Sequence, residues 1–310
     1  MTRYIVKRLI SMLPVILGIM LLIFSILSFT SGDPARMILG EDASIEDVEV
    51  LRESLGLNDP FLIRFLNYTK GALRGDFGNS YRTRTPVVAE IASRFPTTFK
   101  IAFFGILIAV FVGLPIGILS AVKQYSIIDT SSTVIAMILT AMPGFFVGML
   151  LILTFALKFG WLPSTGIATW KHFILPSVAV ASVTMASFIR MTRSTMLEVI
   201  RQDYVRTARA KGATEQRIVL KHCLRNALLP VITVIGMNFA AQLGGTVMIE
   251  SVFAIPGLGS YMVTAIRQKD IPVVMASVIF VAVVAGLMNL IVDVLYAYID
   301  PKVRTQYTEE

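Results

Sequence analysis

Cysteine is nearly absent from the 310-residue chain: Cys223 stands alone, so no intrachain disulfide forms and one thiol cannot build a metal site. Histidine is almost as scarce, and His172 and His222 are far apart with no metal-ligand spacing around either. No metal ligands and no catalytic residues are therefore assigned. Charge is also low. Asp, Glu, Lys and Arg make up 15% of the residues, against about 25% in soluble domains, too little to solvate an ordinary globular surface. Disordered, fibrous and small disulfide-rich classes are excluded.

What is abundant is apolar: 55% of the residues are hydrophobic, with a mean hydropathy of +0.74. They lie in long blocks separated by basic residues, which makes lipid the solvent and gives one polytopic, all-α membrane domain. The net charge of +8 sits at the flanks of those blocks, where topology and anionic headgroups account for it without nucleic acid.

A helix needs about 20 apolar residues to cross a core about 30 Å thick. Six runs qualify: 9–30, 101–122, 130–157, 173–189, 226–249 and 271–299. The first follows Arg3, Lys7 and Arg8; it is longer than a signal-peptide core of about 7–15 residues and lacks a clear A-x-A site, so it remains as an anchor. The fourth is short, but its Ser and Thr residues suit packed interhelix faces. The fifth holds Asn238, Gln242, Gly244 and Gly245, so one face meets protein or water.

The positive-inside rule puts both termini in the cytoplasm, with Lys302 and Arg304 after the last span. Six crossings place the most basic loop inside as well: Arg190, Arg193, Arg201, Arg206, Arg209, Lys211, Arg217, Lys221 and Arg225 against Glu198, Asp203 and Glu215. Residues 31–96 are then external. Ser44 to Leu55 reads as a helix with Ser44 as N-cap and Asp47 at N3. Residues 86–95 are amphipathic and suit the outer membrane face, with Pro96 turning the chain inward. This segment reads as a cap over the external mouth.

The internal loop has a fine structure that a spacer does not need. Residues 195–211 lack Pro and Gly, Gly212 stands where a helix C-cap wants it, and a second helical stretch runs from Thr214 to Leu229 before Pro230. Tyr204 and Ala208 lie at i and i+4, giving one aromatic knob among small residues with Arg206, Arg209 and Lys211 at its rim. Such a protrusion can enter a cleft on another protein.

The run Asp203-Tyr204-Val205-Arg206-Thr207-Ala208-Arg209-Ala210-Lys211-Gly212, followed by Arg225-Asn226-Ala227-Leu228-Leu229-Pro230, resembles the coupling loop of dipeptide/oligopeptide (peptide/nickel) ABC-importer permeases, a type I importer family. The resemblance spans nearly the whole chain. It includes Arg3-Tyr4-Ile5, Gly32-Asp33-Pro34, Gly75-Asp76-Phe77-Gly78, Gly160-Trp161-Leu162-Pro163, Pro256-Gly257-Leu258-Gly259, Asn289 to Tyr296 and Asp300-Pro301. Arg206 and Thr207 replace the Glu and Ala of the broader E-A-A-x-x-x-G pattern, a habit of the peptide subgroup that places any glutamate contact to the ATPase in doubt.

The resemblance implies residues 1–96 as an amino-terminal helix with its external segment, 97–300 as the importer core with its coupling loop at about 194–228, and 301–310 as a cytoplasmic tail. It implies a homologous second permease, two cytoplasmic ATPases carrying ATP and Mg, an extracytoplasmic binding protein and a bacterial or archaeal inner (plasma) membrane. The chain has no G-x-x-x-x-G-K-[ST] motif, so hydrolysis belongs to another chain. Peptides are the leading substrates, with nickel, metal chelates or glutathione as alternatives. A secondary transporter would need intramembrane ionisable groups or an inverted repeat, neither of which is evident.

Two sets of residues carry open readings. Pro115, Pro143, Gly144, Gly244 and Gly245 serve either as kinks and close-packing points or as hinges and gates. Asp293, the one carboxylate within a span, shares a face with Asn289 and either pairs structurally, for instance with a coupling-loop arginine, or handles a proton or ion. Met185, Met191, Met196, Met237 and Met248 form no cluster with His or Cys and read as flexible packing. Trp161, Trp170, Tyr261, Tyr296 and Tyr298 lie near span ends, as interfacial aromatics do.

Overall fold

The computed structural model describes residues 2–29, 33–40 and 42–299. Its helices in chain order are α1 (Thr2–Phe29), α2 (Pro34–Leu39), α3 (Ile45–Ser54), α4 (Phe61–Leu73), α5 (Val87–Val122), α6 (Ile127–Ala141), α7 (Gly144–Leu151), α8 (Ile174–Ile200), α9 (Asp203–Ala210), α10 (Glu215–Arg217), α11 (Leu224–Gly245), α12 (Val247–Val252), α13 (Leu258–Arg267) and α14 (Ile271–Ile299). Among the described residues the only extended pairing is a bridge between Asn79 and Pro86. Five helices are long and apolar enough to cross a membrane, or six if the bent pair α6–α7 counts as one. The motif Asp300-Pro301, Lys302, Arg304 and the expected tail lie outside the described residues, as does the start of the segment at Ser31.

Several expected boundaries move. Pro96 does not turn the chain, because α5 runs unbroken from Val87 to Val122. Packing on both sides holds it straight: Phe95 meets Phe280 edge-on at 4.9 Å, and the Thr98 hydroxyl accepts the Leu258 amide at 2.9 Å. The third span is not straight. α6 and α7 meet at 102°, with Met142 extended before Pro143 (φ −90°, ψ 126°), the conformation a following proline imposes. Of the interrupting prolines, Pro143 breaks its span, whereas Pro115 lies within continuous α5. A π-helical stretch, Ile152–Lys158, prolongs α7.

The fourth span runs past Ile189 to Ile200. The helical stretch expected to stop before Pro230 continues instead through α10, a π-helical turn at Ile218–Cys223 and α11, with Pro230 inside. Buried Ala227 and Val231 flank that proline. Gly244 and Gly245 end α11 rather than interrupting it. α3 forms as expected, with the Asp47 amide donating to Ser44 Oγ at 3.1 Å.

The chain divides into two compact units. The first comprises residues 6–98 and 256–284. Its core sets Met20 and Phe24 of α1 against Ile271, Met275 and Ile279 of α14, with Phe61, Phe65 and Tyr68 of α4 packed on them. The buried Asp270 carboxylate accepts the Ser80 hydroxyl and, at 3.1 Å, the Tyr81 amide, while its carbonyl accepts the Val274 amide in the first turn of α14. Burial, opposed by Arg64 and helped by Asp270, pushes the Tyr81 phenol up to about 12. Tyr261 is not a lipid-facing anchor: its ring lies under the Arg94 guanidinium at 4.4 Å, and its hydroxyl is buried.

The second unit comprises residues 99–255 with 2–5 and 285–299. α8 is its centre, packed by α6, α7 and α11 through buried small residues such as Ser177, Ala179, Ser182 and Ala186. α5 approaches so closely that a Cβ on Gly117 would sit 2.8 Å from both the Ile189 carbonyl oxygen and Thr192 Cβ. Backbone cannot yield there, and overpacking costs about 1–3 kcal/mol. Gly117→Val is therefore expected to lower the unfolding midpoint in detergent by several degrees; an unchanged midpoint would contradict this contact.

Candidate functional site

α9 is built as an anchored ramp. The expected helix over residues 195–211 is two pieces, because Gln202 turns extended (φ −70°, ψ 148°) after α8 ends. The break aims Val205, wholly buried, into a cluster with Ala121, Met196, Ile218, Cys223 and Ala227. Burying such a side chain stabilises by about 1.5–3 kcal/mol. Ala208, one turn on, is half-buried against the same cluster, while Asp203, Arg206, Thr207, Arg209, Ala210 and Lys211 are exposed.

Two ties fix this helix. Arg209 grips Glu215 through Nε at 2.7 Å and Nη2 at 3.1 Å, which raises the guanidinium pKa further, and the pair closes the turn around Gly212. That glycine has φ +79°, a left-handed conformation that favours a residue without Cβ. Tyr204 is 41% exposed, and its hydroxyl accepts the Asn226 amide at 2.7 Å. The Arg206–Asp203 pair, 3.7 Å apart and exposed, contributes little.

Behind α9 lies a buried ion pair. Asp129, 4% exposed in the first turn of α6, accepts Arg193 Nε at 2.6 Å and Nη2 at 2.9 Å. The Ser120 hydroxyl at 2.6 Å and the Tyr125 amide at 2.9 Å complete its shell. The cluster ties the ends of α5 and α6 to α8 one turn before Met196, which itself packs on Val205. Asp293 is therefore not the one carboxylate in a span, and Arg193 is a structural partner as well as a basic flank. Sequence reasoning also passed over Glu250, which is fully buried and accepts the Thr246 hydroxyl at 3.0 Å.

At its far end α6 meets the Pro143 bend, where Gly144 lines a hollow with Thr184, Asn238 and Gln242. Asp293 accepts the Tyr4 hydroxyl at 3.1 Å. Asn289 is exposed and Asp293 half-buried. Among the described residues no three His, Cys, Asp or Glu side chains come together.

Five helices, or six with the bent α6–α7 pair, long and apolar enough to cross a bilayer define a multi-pass membrane protein. The chain belongs to the family described as binding-protein-dependent transport system inner membrane component, whose model matches residues 113–305; the model of that family's amino-terminal part matches residues 1–102. It is thus the permease subunit of an ABC importer, a multi-pass inner-membrane protein and a transport component rather than an enzyme.

Among curated relatives, the glutathione transport system permease protein GsiC of Escherichia coli K12 is 41% identical over 304 residues, covering 98% of this chain and 99% of the relative. GsiC of Shigella dysenteriae serotype 1 matches with the same identity and coverage. Among solved structures, the MetNI methionine ABC transporter in inward-facing conformations aligns at a TM-score of 0.57 with 19% identity, covering 69% of this chain and 97% of that chain. An amino acid ABC transporter with histidines aligns at 0.52 with 18% identity, covering 69% and 94%. These likenesses show the fold of the importer permease.

Proposed function

We propose that this permease carries di- or oligopeptides inward, driven by ATP and Mg on two cytoplasmic ATPase subunits that each receive one coupling helix. The observation that carries the reading is α9: anchored inward by Val205, tied by Arg209–Glu215, and presenting Tyr204, Arg206, Thr207, Arg209, Ala210 and Lys211 outward. Both termini and this loop are cytoplasmic, α2–α4 lie outside as a cap, and a homologous second permease completes the path. An extracytoplasmic binding protein delivers substrate. Residues 1–96 supply the anchor and cap, 97–300 the transport core and 301–310 the tail. Closure of the ATPase pair moves α9, and the rigid packing behind it biases a two-state bend at Pro143 and Gly144.

Glutathione is the second reading, favoured by the identity to relatives of that name; it is itself a small peptide. Nickel or a metal chelate has no such support. Uptake of a labelled peptide into vesicles holding the whole assembly is expected to require ATP, both ATPases and the binding protein. Uptake by this chain alone on an ion gradient would overturn the reading.

A further inference from the structure

A groove of about 520 Å³ opens between α5 and the start of α8. Along α5 it is lined by Lys100, Phe104 and Ile108, which stand at i, i+4 and i+8 and so share one face. Trp170, Phe173 and Ile174 form the other wall. The helical rise sets Ile108 about 12 Å deeper than Lys100, most of the roughly 15 Å of hydrocarbon in one leaflet. Lys100 immediately precedes the apolar run 101–122, and Trp170 is 72% exposed. Both therefore mark the membrane–water boundary, where long cations and indole rings settle.

The groove is charged at that end alone. Lys100 is exposed, its Nζ lies 5.8 Å from the centroid of the Phe173 ring, and among the described residues no carboxylate pairs with it. The surrounding sequence offers little choice, since Asp129 is the only acid between residues 91 and 197 and Arg193 already grips it. A ring face attracts the ammonium weakly and leaves its N–H groups for an acceptor from outside. The two hydroxyls in the lining are not such acceptors: Thr169 is bound to His172 at 2.9 Å, and the Ser177 oxygen is buried.

An unpaired ammonium at the mouth, with aromatic and aliphatic walls running inward from it, is the complement of an amphiphile with an anionic head. We propose that this groove holds an anionic phospholipid, with its phosphate on Lys100 and an acyl chain along Phe104, Ile108 and Ile174. A soluble ion would leave the apolar walls uncovered, and a protein helix seated there would have to supply a carboxylate or bury the ammonium unpaired. The site needs only the membrane edge that Lys100 and Trp170 mark, so it stands apart from the choice of transported substrate.

The test uses the complete assembly in phosphatidylcholine bilayers that contain a minor share of brominated lipid, either phosphatidylglycerol or phosphatidylcholine, as a quencher of tryptophan fluorescence. The difference between the unaltered protein and Trp170→Phe isolates the Trp170 signal. Brominated phosphatidylglycerol is expected to quench it about threefold to fivefold more than brominated phosphatidylcholine, because one lysine near the surface favours an anionic lipid by about that factor. Lys100→Gln is expected to bring the two lipids to parity, whereas Lys171→Gln, which alters a neighbouring exposed cation outside the lining, keeps most of the preference. Equal quenching by the two lipids in the unaltered protein overturns the site, as does a preference that survives Lys100→Gln or is lost equally in Lys171→Gln. Absence of quenching by either lipid also overturns it, and shows that protein covers the groove.

Discussion

Arg193→Ala is expected to remove most ATP-driven uptake while the protein still inserts in the membrane. The side chain makes two short bonds to Asp129, and Asp129 in turn gathers the Ser120 hydroxyl and the Tyr125 amide. Deleting the arginine leaves a carboxylate buried with only neutral donors. Breaking a fully buried pair costs about 3–5 kcal/mol; Arg193 keeps 29% of its side chain accessible, so about 2–3 kcal/mol is the working figure. The loss falls where the first turn of α6 is tied to α8, so the two helices are expected to move less as one unit. Arg193→Lys is expected to restore little, because an ammonium cannot reproduce the two-point grip. Uptake by vesicles and the unfolding midpoint in detergent check both variants; wild-type uptake with Arg193→Ala would show that the pair carries no motion.

The second large effect belongs to Val205. Val205→Asp places a carboxylate among the buried apolar side chains of Ala121, Met196, Ile218, Cys223 and Ala227. The helix is expected to swing out rather than bury the charge, and the ATPase subunits should no longer co-purify with the permease. Val205→Ala keeps the cluster apolar, costs about 1–3 kcal/mol by leaving a small void, and should weaken retention of the ATPases without abolishing it. Full retention of the ATPases by Val205→Asp would mean that the anchor is not what holds α9 in position.

The sequence carries the fold unevenly. α14 matches its apolar run because Asp270 and Asp300 bound it and Asp293, near its end, is compatible with a continuous helix. α3 is legible because Ser44 and Asp47 bear a local signature that needs no tertiary partner. Prolines mislead for a physical reason: Pro96 and Pro230 have packed neighbours on both sides, and Gly113 and Gly117 let α8 press against α5 around Pro115, whereas Pro143 adjoins Gly144 and has extended Met142 before it. α4 is harder to read, because the apolar repeat of Phe61, Phe65 and Tyr68 at i, i+4 and i+7 is short and interspersed with Arg64, Asn67 and Lys70.

At the coupling loop, Gly212 and its basic rim were legible, but Val205 was not, since one valine in a polar stretch acquires meaning only when α5, α8, α11 and the π-helical turn converge on it. The hollow shows the same division: Asn238 and Gln242 could be marked as a polar face, while Thr184 and Gly144 join them only through the bend.

One consequence follows from the way α9 spends its single large aliphatic side chain inward. The outer face is left with Tyr204, two arginines and a lysine, so a partner seated there is held by one aromatic ring and by Coulomb attraction. Exposed charges feel each other over about 8 Å at physiological ionic strength and about 3 Å in molar salt. The proposed ATPase joint is therefore quick to form and easily loosened by salt, a clutch rather than a weld.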